Sequence, residues 1–201
     1  MESKNLTVCI LIIIHKEQPT EFEKISILQC AKILNKRDIY FICPEGFNGE
    51  IYRSLAPSAV FHFIDPKWQK NYSMFNRMKV LPFIYERFRQ YKYVLFYEPD
   101  AFVFEDVLDY WCSKNLDYMG APWFENFDNK EGQGEFLGVG NGGFSLRKIE
   151  SHLKALKTFA WLVNPRENWK FRMKTGPKGL TWFKHAGGFL LDYVIRNNSY
   201  K

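Results

Sequence analysis

Tyr93-Val94-Leu95-Phe96-Tyr97-Glu98-Pro99-Asp100-Ala101-Phe102-Val103-Phe104 sets two carboxylates inside an otherwise apolar, largely aromatic run. In an extended backbone, residues two apart project from the same face, so Glu98 and Asp100 are expected to point together. Pro99 has no N–H to offer a sheet ladder, so the strand is expected to end there and present both acids at its tip. Acids embedded this way are costly unless something compensates them, and a divalent metal is the first compensator to look for.

Working outward, Val8–Ile14 is a short apolar run that reads as a buried first strand, too short to span a bilayer. Thr20-Glu21-Phe22-Glu23 matches a capping box and predicts an amphipathic helix with Ile25, Leu28 and Ile33 on its apolar face. Asp38–Cys43 and Val60–Ile64 read as further strands, each stopped by a proline, with Gly46 and Gly49 in a turn between them. A helical segment is expected over residues 73–89, broken or restarted at Pro82. Val107–Cys112 reads as a short helix, and Ile149–Leu162 as another. Strands alternating with helices predict an α/β fold with a mainly parallel central sheet flanked by helices. In such sheets ligands sit beyond the carboxyl ends of the strands, where Glu98 and Asp100 fall.

The chain has 201 residues, enough for one domain with a sizeable core, and an aromatic share of 18% argues against disorder. Cys9, Cys30, Cys43 and Cys112 show no metal-type spacing and read as reduced core thiols of a cytoplasmic protein. The net charge of +6 is lopsided: residues 147–201 hold 12 Lys+Arg against 3 Asp+Glu, whereas residues 1–146 hold 16 against 19. That basic region carries Trp161, Trp169, Phe171, Trp182 and Phe183 and suits phosphate-bearing partners, peripheral contact with an anionic inner-membrane surface, or simply a solvated face. No nucleic-acid partner is expected, because no recognisable binding module is present.

Gly138, Gly140 and Gly143 satisfy G-x-G-x-x-G but do not make a dinucleotide site. That fingerprint belongs to the first strand–helix turn with an acid about twenty residues on, and here it lies late with no such acid. These glycines more simply let backbone approach a ligand or a neighbouring strand. His62, flanked by Phe61 and Phe63, reads as a sheet residue; Trp123 as a sugar-pocket wall or a core residue. Arg147 and Lys148 read either as phosphate stabilisers or as the start of a solvated helix.

Phe88, Tyr93–Phe104, Trp111-Cys112, Asp117–Trp123 and Val139–Arg147 together resemble the GT-A glycosyltransferases. The chain looks most like a bacterial branch catalogued as domain of unknown function 5672, over roughly residues 6–150. The resemblance implies a single GT-A-like domain over 1–201. Residues 1–104 would be a nucleotide-binding half ending in the acid-x-acid motif, and 105–201 an acceptor-side half with the basic C-terminal region. It implies that Asp100 binds Mn²⁺ or Mg²⁺ bridging the diphosphate of a nucleotide-sugar, with Glu98 at the ribose or the metal's water shell. It also implies that His15 approaches the nucleotide and that Gly142 and Gly143 lie beside the donor sugar or acceptor. His185 is then either a late metal ligand or a loop histidine.

The implied activity is a metal-dependent, hexosyltransferase-type transfer from a nucleotide-diphosphate-sugar to a glycan or lipid-linked acceptor, as in surface polysaccharide or glycoconjugate synthesis. Departures from the family's pattern keep a second reading open. Relatives more often carry an amide at the position of Glu98. After Arg147 the chain offers only Glu150, Glu167 and Asp192 as acids, none in the expected acidic motif, and it ends early for this fold. Asp192 and Glu150 are the candidates for a catalytic base. The alternative is a catalytically impaired GT-A-like nucleotide-binding or scaffold protein.

Overall fold

β1, Val8–Ile13, is buried at every position and forms the axis of the sheet. In the computed structural model, which describes residues 7–124 and 134–157, it lies between β2 (Asp38–Pro44) and β4 (Tyr93–Tyr97). β3 (Val60–Ile64) adds to β2, and all four strands run parallel. On the far side of β4 comes β6 (Phe136–Lys148), antiparallel to it, and then β5 (Tyr118–Phe124), giving the order β3-β2-β1-β4-β6-β5. Continuous apolar runs in β1 and β4 follow from this placement, since central parallel strands are covered on both faces. The mainly parallel α/β architecture expected from the sequence is therefore present.

α1 (Glu21–Ile33) follows β1, and its Thr20–Glu23 capping box forms in both directions. Its buried face differs from expectation. Ser26, Ile27 and Cys30 face the sheet, while Ile25 and Leu28 are 52% and 48% exposed. The face turned inward is the apolar stripe Ile27, Cys30 and Leu34, and beside it the Ser26 and Tyr97 hydroxyls meet at 2.9 Å and converge on the Ala101 carbonyl. α2 (Glu50–Leu55), which the sequence reading did not anticipate, is six residues long and has no side-chain cap. At its N-terminus Gly49 makes room for the Phe61 ring, which a Cβ there, 2.2 Å from it, would displace.

A 3₁₀ turn over Pro66–Gln69 leads into α3 (Tyr72–Met78), capped by the Asn71 side chain. Pro82 restarts the chain as the first residue of α4 (Pro82–Arg87), where its missing N–H costs nothing. α5 (Leu108–Ser113) precedes β5, and α6 (Ile149–Lys157) follows β6. One core face is built on Ile10, Ile12, Phe41 and Leu95, and the other on Leu11, Ile84, Phe88 and Phe96. All four cysteines are buried free thiols, and burial pushes Cys30 up to about 12. Among the described residues no helix is long and apolar enough to cross a membrane.

His62 packs edge-on against Phe88 at 5.1 Å, and His152 stacks on Tyr85 at 5.1 Å. Burial lowers both imidazole pKa values, and the nearby Arg87 and Arg147 charges act in the same direction. Their contribution to stability is therefore full above the unfolded-state value of about 6.5 and is lost as pH falls through the lower folded values. Urea midpoints should drop between pH 7 and pH 5, and His152→Gln should flatten that drop. Equal slopes in both proteins contradict the assignment. Separately, Thr20→Ala should cost about 1 kcal/mol in chemical denaturation through loss of the cap. Phe22→Ala, at a residue 84% exposed, should leave stability unchanged within about 0.5 kcal/mol.

Candidate functional site

β4 stops at Tyr97, and the acids stand beyond it in a turn rather than on a strand. The Ala101 N–H donates to the Glu98 carbonyl at 2.9 Å and closes the chain around Pro99-Asp100. Pro99 suits that turn because its fixed φ presets the first central position. The expected two-residue alternation on an extended backbone therefore does not apply here. The turn itself still delivers both side chains to one cleft.

That cleft, of about 670 Å³, opens at the carboxyl ends of β1 and β4. Its walls include His15, Glu98 and Asp100, so the structure brings three of the predicted site residues together. Tyr72 and Phe75 of α3, with Gln69, Lys70 and Asn71 before it, supply the opposite wall, none of them singled out as site residues from the sequence. Lys16 also lines it, with Nζ 3.0 Å from Glu23 Oε1 and its carbonyl accepting the Tyr52 hydroxyl at 2.6 Å. Asp100 is exposed and makes no ion pair or hydrogen bond among the described residues.

Glu98 is held differently. Its Oε1 meets Lys79 Nζ at 2.6 Å, with the side chains 25% and 8% exposed. Its backbone N–H donates to the Gly143 carbonyl at 2.7 Å, tying the end of β4 to β6. A Cβ on Gly143 would lie 2.9 Å from Glu98 Oε2, so this glycine permits the close approach of strand to acid. Gly142 likewise leaves room for Arg147 Nη2, which a Cβ would meet at 3.0 Å. Arg147 is buried within β6, not at the head of a solvated helix. It donates to Ser145 Oγ at 3.0 Å, to the Lys79 carbonyl at 2.9 Å and to the Tyr85 hydroxyl at 2.7 Å, and lies over the Phe96 ring.

The compensator of Glu98 is thus Lys79, where the sequence pointed to a metal. Lys79 had a signal: a lone cation inside Met78-Lys79-Val80-Leu81. Among the described residues no group of three His, Cys, Asp or Glu could cage a metal. An ion held by one or two carboxylates together with substrate phosphates and water does not need such a cage, and the free Asp100 beside Glu98 fits that kind of site. His185 and Asp192 lie outside the described residues. Glu150 does not join the cleft. Because β6 runs antiparallel to β4, with Tyr97 opposite Phe144 and Tyr93 opposite Lys148, Glu150 falls beyond the opposite end of β4. Trp123 is 41% exposed on β5 and abuts Gly140.

The packing of Gly143 on Glu98 has a measurable cost. Gly143→Ala should destabilise the protein by about 1–3 kcal/mol, because the extra methyl must displace an acid already pinned by Lys79. Chemical denaturation that shows no loss contradicts the close approach.

A solved structure of core-mannan synthase A from Aspergillus fumigatus, in its Mn/GDP form, superposes with a TM-score of 0.50 at 14% identity. The match covers 94% of this chain and 67% of that one, and it shows a shared GT-A glycosyltransferase fold. No curated protein matches the sequence. The model of a family described as "Protein of unknown function (DUF5672)" matches residues 58–187, a span that takes in the third strand, both acids of the turn and the whole of β6. By that match the chain belongs to the DUF5672 family.

Proposed function

We propose that the cleft binds the diphosphate end of a nucleotide-sugar and that the protein is a metal-dependent glycosyltransferase. The observation that carries this reading is Asp100: a carboxylate with no partner among the described residues, exposed at a cleft beyond the carboxyl ends of parallel strands. The cleft lies where β1 neighbours both β2 and β4, the crevice in which open α/β sheets bind ligands. The neighbour of the same fold was solved with Mn and GDP, which supports the same class of ligand here.

Asp100 and Glu98 would hold Mn²⁺ or Mg²⁺, which neutralises charge developing on a departing diphosphate. The chain's own contribution is positioning. The turn closed by Ala101 and Tyr97 fixes Asp100 relative to β4, and Tyr97 keeps its proton because burial pushes its pKa up to about 12. His15, Lys16 and Lys70 add donors and positive charge around the same opening. Tyr72, 80% exposed, offers a flat apolar face at the rim. The acceptor in this reading is a glycan or a lipid-linked saccharide.

Calorimetry with a panel of UDP- and GDP-sugars should show Mn²⁺-dependent binding that Asp100→Ala weakens by at least about tenfold, the order expected when a metal ligand is removed. Equal binding by both proteins, or binding by neither, contradicts the reading. A second reading rests on the position of Glu150 and on the commitment of Glu23 to Lys16 and the α1 cap. It makes the protein a nucleotide-binding GT-A relative without transfer activity, and donor binding with neither hydrolysis nor transfer favours it.

A further inference from the structure

Lys79 follows α3 with its side chain 8% exposed, and its ammonium lies against Glu98 and Phe75 beside the space at Gly142. Glu98 Oε1 is 2.6 Å away, the Phe75 ring centroid 4.3 Å away, and the position a Gly142 Cβ would take 3.9 Å away. Phe75 and Glu98 both line the cleft, so the ammonium stands directly behind the cleft wall. The backbone of Lys79 is pinned, since its carbonyl accepts from Tyr85 at 2.8 Å and from Arg147 at 2.9 Å. Any movement is therefore confined to the four-carbon stem.

Every hydrogen-bond partner of Arg147 is neutral, namely Ser145 Oγ, the Lys79 carbonyl and the Tyr85 hydroxyl, and its Nη2 faces the gap left by Gly142. Lys79 and Arg147 are thus two buried cations on either side of the space at Gly142, and of the two only Lys79 is paired with a carboxylate, that of Glu98. A cation within reach of an open cleft favours an anion there. A partly buried acid is stabilised by a cation whenever the cleft is empty, and a divalent ion arriving next to Glu98 would repel the ammonium already there. Lysine suits such an exchange better than arginine, being a compact charge on a flexible stem.

We propose that Lys79 is an exchangeable counter-ion. With the cleft empty it neutralises Glu98; when a nucleoside diphosphate and its divalent ion enter, it moves to a phosphate oxygen and yields Glu98 to the ion. The nucleotide half of this exchange rests on the donor-site reading above. The competition between Lys79 and a metal for Glu98 does not.

Mn²⁺ titration followed by electron paramagnetic resonance, without nucleotide, should show Lys79→Met binding the ion about tenfold more tightly than wild type, a coupling of ordinary size. With Mn²⁺ present, the same variant should bind UDP or GDP about tenfold more weakly. A purely structural pair would not move the two affinities in opposite directions. Metal affinity that is unchanged or weaker in Lys79→Met, or no ion bound by it at all, overturns the proposal. Glu98→Gln, at a partly exposed position, gives an independent reading: with metal chelated, the released lysine should strengthen nucleotide binding. Weaker or unchanged binding there also counts against it. If wild type binds neither UDP nor GDP, the donor-site reading fails, while the Mn²⁺ titration still decides the competition for Glu98.

Discussion

A carboxylate at the mouth of a fully buried strand has to be compensated, and the contacts that compensate Glu98 organise the whole upper edge of this molecule. Lys79 supplies the charge at 2.6 Å, and removing Glu98 would leave a lysine only 8% exposed without its counter-charge. The lysine's own carbonyl is in turn gripped by Tyr85 and Arg147, which binds the α3–α4 junction to β6. The Glu98 N–H bonds the Gly143 carbonyl and joins β4 to the same strand. Two glycines in β6 leave room for this arrangement, since a Cβ at Gly143 would press on the Glu98 carboxylate and one at Gly142 would lie tight against Arg147 Nη2. The wall of the cleft is thus one connected network spanning a helix junction, a strand end and an antiparallel neighbour.

Topology explains why the network lies at this edge. β1 has β2 on one side and β4 on the other, and a crevice opens above the pair where their connections part. The antiparallel β6 then carries its glycine-rich middle up to the Glu98 end of β4 and its basic end, Arg147-Lys148, back down. That reversal puts Glu150 beyond the opposite end of β4 from Asp100. Among the described residues the acids that line the cleft are Glu23, Glu98 and Asp100, and Glu150 is not one of them.

Much of this could be read from sequence because it follows from local rules. Buried parallel strands have to be apolar throughout, so β1 and β4 announced themselves. Thr20 and Glu23 specify a helix start by hydrogen bonds within four residues, and Pro82 could only begin a helix or break one. The acid tip was legible because carboxylates are rare in such company. What sequence did not show depends on partners distant in the chain. Lys79 lies 19 residues before Glu98, and nothing local marks them as a pair. The face that α1 buries was misjudged because the helix carries two apolar stripes, and the choice of Ile27, Cys30 and Leu34 over Ile25 and Leu28 goes with a Ser26–Tyr97 hydroxyl contact distant in the chain. Likewise α2 has no cap to announce it, and its entry depends on Phe61 from a neighbouring strand.

The central claim is that Asp100 is the residue through which this cleft engages a divalent ion and a diphosphate. An anomalous difference map from a crystal grown with Mn²⁺ and either UDP or GDP tests it most directly. The account predicts a manganese peak within about 2.5 Å of an Asp100 carboxylate oxygen, with diphosphate oxygens completing its shell. A peak elsewhere on the protein, or nucleotide bound in the cleft with Asp100 left free, contradicts it.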